Sequence, residues 1–148
     1  MRLTRFTDYS LRTLIYVGVR HPQFCSIKDV GERYAISQNH LTKIVHELGR
    51  VGYLETVRGR GGGIRLGKAP SEINIGEVVR RMEPDFQIVE CFGPETGMCC
   101  IEPVCALGPI LEEAMALFMS VLDRHTLQDL IASKKLLAEL LSIPAVRS

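Results

Sequence analysis

No stretch of this 148-residue chain is apolar for long enough to cross a bilayer. The opening segment MRLTRFTDYSLRTLIYVGVRH carries charges before and inside its apolar run, so a secretory leader is not expected either. There is no G-K-[S/T] as in a phosphate-binding P-loop, and the glycine spacing does not fit the dinucleotide fingerprint. No nucleophile–base pair or substrate-pocket motif stands out, so the chain is not expected to be an enzyme. Internal repeats and low-complexity tracts are missing as well. The five cysteines are an odd number, which leaves one thiol over from any complete intramolecular disulfide set. With no leader in view, that argues for a reducing, cytoplasmic compartment and no membrane partner.

What is present is a chain that is 46% hydrophobic, enough to bury one compact core or a small domain with an extension. Its net charge of +1 hides a split. Residues 1–70 hold 12 Lys/Arg against 5 Asp/Glu, and residues 71–148 hold 6 against 12. A basic N-terminal half is the electrostatic footprint of a surface that meets phosphates.

Thr4 or Thr7 can cap a first helix that runs to about Val19, with Leu11, Leu14 and Ile15 on one face, and His21-Pro22 ends it. Ser26, with Asp29 three residues on, opens a short second helix whose inner face is Ile27, Val30 and Tyr34. After a tight turn at Ala35-Ile36, Ser37 caps a third helix with Leu41, Ile44, Val45 and Leu48 at i, i+3, i+4, i+7. Two short helices joined this way form a helix-turn-helix. The other face of helix three carries Ser37, Gln38, Asn39, His40 and Lys43, donors and acceptors suited to base edges and phosphates. A plain solvated face would look similar, and the next segment tips the balance.

Gly52 to Val57 reads as a strand, Arg58-Gly59-Arg60-Gly61-Gly62-Gly63 as a hairpin tip, and Ile64-Arg65-Leu66 as a return strand. A glycine-rich tip with two arginines directly after a recognition helix is a wing, with Arg58 and Arg60 placed to enter a minor groove or grip phosphate. Residues 73–82 read as another short helix ending before Glu83-Pro84. From Pro109 a long helix carries Ile110, Leu111, Ala114, Leu117, Phe118, Val121 and Leu122, a stripe broad enough to want a second subunit. A last helix runs from Thr126 to Leu141. The expected fold class is therefore mainly α with a small β-hairpin wing: a winged helix-turn-helix over 1–70, a connecting helix and sensor loop over 71–108, and a dimerisation helix with a C-terminal helix over 109–148.

Four of the cysteines, Cys91, Cys99, Cys100 and Cys105, fall within CFGPETGMCCIEPVC. They are soft ligands suited to zinc or to iron–sulfur clusters. Their wide spacing favours a loop around a cluster over the close cysteine pairs of structural zinc, without excluding zinc. Cys25, in the connection between helices one and two, reads as a small apolar residue.

FTDYSLR, SQNHLTKIV, RGRGGGIRL, INIGEVVRRMEP and a C-x5-C ending in PVC together resemble a family of winged-helix iron–sulfur transcription regulators, over residues 1 to about 130. Within it the chain is more similar to the nitric-oxide-sensing repressors than to the regulators of cluster biogenesis. The resemblance implies a homodimer on a palindromic operator in double-stranded DNA. It also implies a [4Fe-4S] cluster (alternatively [2Fe-2S]) in each sensor loop, metal-binding through Cys91, Cys99, Cys105 and Asp8 of the partner subunit. Cys99 is taken over Cys100 because it keeps the family's five-residue spacing to Cys105, although the interval from Cys91 is longer than usual. Nitric oxide would be the signal, dismantling the cluster and relieving repression of nitric-oxide stress genes. An iron- or redox-responsive iron–sulfur regulator, or a zinc-stabilised or apo-acting one, stays open as an alternative. Arg12, four residues after Asp8 on one helix, can pair with it when Asp8 is not on iron.

Overall fold

The computed structural model describes residues 2–93 and 99–143. Helix α1 (Arg5–Arg20) starts where Thr4 accepts the Thr7 N–H and stops at His21. Helix α2 (Ile27–Tyr34) carries the complete capping box at Ser26 and Asp29. Ala35, in the left-handed region at φ 53°, turns the chain into α3 (Gln38–Arg50), capped by Ser37. Local hydrogen bonds decide these starts, so they could be read from sequence.

Strands β1 (Leu54–Val57) and β2 (Gly63–Leu66) pair antiparallel, Leu54 opposite Leu66 and Val57 opposite Gly63. The first strand begins two residues later than expected, because Gly52 and Tyr53 close the end of α3: Tyr53 N–H donates to the Leu48 carbonyl at 2.9 Å. The wing is not isolated. Cys25 and Ile64 exchange backbone hydrogen bonds of 2.9 and 2.8 Å, fastening the α1–α2 connection to β2. Leu14, Val17, Val30, Leu41, Ile44 and Ile64 are fully buried between the three helices and this hairpin.

Helix α4 (Ile75–Met82) starts two residues after the expected 73, because Asn74 caps it by accepting the Glu77 N–H. Helix α5 (Leu107–Asp123) starts two residues before the expected Pro109. A proline in a first helical turn lacks only an N–H that would have no partner there. The expected last helix is two: α6 (Leu127–Leu130) and α7 (Lys134–Leu140). The break lets Leu127 and Ile131 bury themselves against α1 at Gly18, where an added Cβ would meet both side chains at 3.3 Å. Lys134 then donates to the His21 carbonyl at 3.0 Å. Arg80 grips Asp123 through two 2.6 Å hydrogen bonds, locking α4 to the end of α5 and holding the Asp123 carboxyl below its ordinary range.

Among the described residues no helix is long and apolar enough to cross a membrane. Most of α5 stands clear of the core: Met119 is its one buried residue, while Leu107, Ile110 and Leu117 are 56–60% exposed.

Candidate nucleic-acid interface and sensor loop

Helix α3 buries Leu41, Ile44, Val45 and Leu48 and turns Ser37, Gln38, Asn39, His40 and Lys43 to solvent. The Ser37 hydroxyl oxygen is engaged as the cap, accepting the His40 N–H at 3.4 Å. Gln38, Asn39 and Lys43 present their side-chain polar groups outward. His40 sits edge-on to Tyr9 of α1, ring centroids 6.2 Å apart, so the first turn of α3 touches α1 through aromatic rings.

The wing separates its arginines by task. Arg65 is committed to structure: it pairs with Glu55 at 2.8 Å across the strands and lies 4.7 Å over the Phe24 ring. Arg58 and Arg60 are exposed on the tip, which closes through a 3.1 Å hydrogen bond from Gly62 N–H to the Gly59 carbonyl. Neither has an ion pair among the described residues, and two uncommitted guanidinium groups suit phosphate.

Asp8 lies in the first turn of α1 and faces an open cleft of about 510 Å³, lined in part by Arg2, Arg5, Tyr9, Arg12 and Tyr34. Arg12 holds it in a two-pronged ion pair, 3.0 Å to one carboxylate oxygen and 2.9 Å to the other. The same guanidinium lies 5.8 Å from the Tyr9 ring centre and 6.0 Å from that of Tyr34. The pair expected from the i, i+4 spacing is thus formed.

The four clustered thiols precede α5. Cys91 is in a single 3₁₀ turn, Glu90–Phe92, and Cys105 follows another, Glu102–Val104, just before α5. Cys99 and Cys100 are exposed, and no disulfide links the cysteines. Residues 94–98, between Cys91 and Cys99, lie outside the described residues. The donor set fits an iron–sulfur cluster: several free thiols, exposed or half-exposed, outside the α-helices and strands. Among the described residues no three His, Cys, Asp or Glu side chains come together into a metal site. Cys25 is a different kind of cysteine. It is buried under the wing, and desolvation pushes its thiol up to about 12.

Two residues with evident roles were not found from sequence: Tyr9, which bridges Arg12 and His40, and Glu83, which bonds to Thr4 and Thr7. Glu83 finds its partners 76 to 79 residues away, and no local pattern announces such a contact.

Comparison with known proteins agrees with this architecture. The chain is 51% identical over 144 residues to the HTH-type transcriptional regulator NsrR of Bacillus subtilis (strain 168), covering 97% of this chain and 99% of that protein. It is 50% identical over 143 residues to the regulator of the same name from Bacillus licheniformis, covering 96% and 100%. Among solved structures, T. potens IscR superposes with a TM-score of 0.71 at 21% identity, covering 90% of this chain and 88% of that one. Staphylococcus aureus CymR gives 0.68 at 29% identity, covering 86% and 95%. These likenesses bear out the winged-helix fold, and the curated relatives are transcriptional regulators, not enzymes. Residues 3–133 match the family model described as "Rrf2: Iron-dependent Transcriptional regulator". With near-complete coverage by relatives at half identity, the chain belongs to the Rrf2 family of transcriptional regulators.

Proposed function

We propose that this protein is a DNA-binding transcriptional repressor that senses nitric oxide through a [4Fe-4S] cluster and works as a cytoplasmic homodimer. The observation that carries the reading is the near-full-length match, at about half identity, to regulators named NsrR. The free thiols of the 91–105 loop and the exposed polar face of α3 support it.

In this reading residues 1–70 bind DNA, 71–108 connect and sense, and 109–148 dimerise. Gln38, Asn39, His40 and Lys43 meet base edges and phosphates in the major groove, and Ser37 holds that turn in shape. Arg58 and Arg60 grip the flanking backbone or minor groove. Cys91, Cys99 and Cys105 would hold the cluster, with Asp8 of the partner subunit completing the set and Cys100 standing aside. When bound, the group supplies iron at which nitric oxide reacts.

The chain's own part is a choice of partner for Asp8. Its carboxylate would serve as a ligand when the cluster is bound, and the structure shows the competing partner, Arg12, already within ion-pair distance. Arg12 also stacks on Tyr9, and Tyr9 touches His40, so a change at Asp8 bears on the start of α3. A two-fold dimer reads a palindrome only when its recognition helices are correctly spaced, and moving α1 alters that spacing. Loss of cluster should therefore weaken operator binding and lift repression of genes that respond to nitric oxide.

Gel-shift titration of anaerobic protein tests this. The cluster-loaded protein should bind operator, and nitric oxide should abolish the binding; unchanged affinity overturns the reading. Because the family description reads "iron-dependent", a parallel arm with an iron chelator in place of nitric oxide separates an iron-responsive regulator from a nitric-oxide-responsive one.

A further inference from the structure

The first turn of a helix has N–H groups without helical partners, and these are normally met by a side chain from the same helix or by water. Thr4 does part of this for α1 by accepting the Thr7 N–H at 3.3 Å. A second acceptor comes from far along the chain. The Glu83 carboxylate accepts the Thr4 N–H on both oxygens at 3.1 Å and the Thr4 hydroxyl at 3.2 Å. It also accepts the hydroxyl of fully buried Thr7 on the same oxygen that takes the Thr4 hydroxyl.

Glu83 is the C-terminal cap of α4. Two residues later begins the arm, Asp85 onward, that leads to Cys91. Asp8 belongs to the turn that Glu83 clamps: its N–H donates to the Thr4 carbonyl at 3.0 Å. One carboxylate thus ties the turn that presents Asp8 to the root of the same subunit's sensor arm. A negative charge at a helix N-terminus is favourable, so the tie is strong as well as directional.

We propose that Glu83 is a positioning residue, fixing the Asp8 turn of α1 against the root of its own sensor arm through Thr4 and Thr7. This rests on the reading that Asp8 serves the partner subunit's thiolate site. In a two-fold dimer each subunit lends its Asp8 to the other's loop. Glu83 then joins the loaned ligand to the loop that stays at home, so the two sensor sites of the dimer are mechanically linked.

The test compares anaerobically reconstituted parent protein with Asp8→Ala, Glu83→Ala, Glu83→Gln, Thr7→Val and the double variant Thr7→Val/Glu83→Ala. Thr7→Val removes the buried hydroxyl at nearly constant volume. Three readouts are taken: iron retained against a competing chelator, the visible circular dichroism of the cluster, and the melting temperature of the cluster-free protein. Outer partners of metal ligands commonly change metal affinity by about 10–100-fold when lost. Glu83→Ala and Thr7→Val are each expected to lower iron retention by about tenfold and to change the visible dichroism. Glu83→Gln, which keeps an acceptor for the Thr4 N–H, should restore most of it. The double variant should be no worse than Glu83→Ala alone.

Parent-like iron retention and dichroism in both single variants overturns the inference. So does a loss that merely tracks the drop in melting temperature. A parent that holds a cluster but is indifferent to Asp8→Ala overturns the Asp8 assignment and this inference together, and a parent that stays colourless overturns the proposed function as well. An Asp8→Ala effect with none at Glu83 or Thr7 overturns the inference alone.

Discussion

A thiol is nucleophilic only as thiolate, so the surroundings of each cysteine decide what it can do. Cys25 is buried beneath β2, and its loss of water pushes it up to about 12, so at neutral pH it is a small apolar side chain. The thiols at 91, 99, 100 and 105 are exposed or half-exposed. Treating cluster-free native protein with iodoacetamide at pH 7.5 should alkylate those four and spare Cys25 until the protein is unfolded, read by peptide mass spectrometry. Early labelling of Cys25 contradicts the burial argument. The sign of the pH effect follows. The unfolded thiol ionises near 9.0 and the folded one near 12, so Cys25 favours the folded state fully below 9. That contribution is lost as pH rises toward 12. The apolar role of Cys25 was legible because a lone cysteine in a short inter-helix connection has little else to do. Its backbone pairing with Ile64, 39 residues away, left no mark in sequence.

Helix starts were legible where capping is local, as at Ser26 and Ser37, and illegible where a distant contact intervenes. The split between α6 and α7 is such a case, since it depends on Gly18 opening a seat for Leu127 and Ile131. The candidate site divides the same way. Patterned residues on α3 and the wing could be read along the chain, whereas Glu83 and Tyr9 matter only once α1, α3 and α4 are brought together. The wing shows the principle most directly. Gly63 opens β2 at φ 149°, and a Cβ there would come within 2.5 Å of the Cys25 carbonyl oxygen. Both the backbone conformation and the close approach exclude a side chain. Gly63→Ala should therefore break the Cys25–Ile64 bridge and cost about 1–3 kcal/mol in urea unfolding. Gly108→Ala, where nothing lies within 4 Å and φ is not positive, serves as the mild comparison. Equal stability of the two variants refutes this account of the wing's anchorage. Operator affinity should fall with Gly63→Ala as well, because the anchored hairpin aims Arg58 and Arg60.

On the scale of the whole molecule, charge and apolar surface are segregated. The basic excess lies in residues 1–70, with the recognition helix and wing, and the acidic excess lies in the half that carries α5. Each phosphate contact contributes about one unit to the slope of log affinity against log salt. Arg58→Ala and Arg60→Ala should each flatten that slope by about one unit, and an unchanged slope removes that arginine from the interface. The other half bears the complementary feature. Leu107, Ile110, Ala114, Leu117 and Val121 recur at alternating intervals of three and four, all exposed, which is the spacing of a seam between two helices. Met119, directed elsewhere, is the one α5 side chain buried within the chain. In the proposed homodimer a second copy meeting this seam would bury the stripe and set the distance between the two recognition helices. Leu117→Glu places a charge at the middle of the seam, where burial without a partner is costly. Light scattering should then report a monomer for Leu117→Glu, with circular dichroism showing the winged domain still helical. Affinity for the palindrome should fall much further than affinity for random DNA, because one winged domain reads only a half-site. A Leu117→Glu protein that stays dimeric would put the subunit interface elsewhere on the molecule.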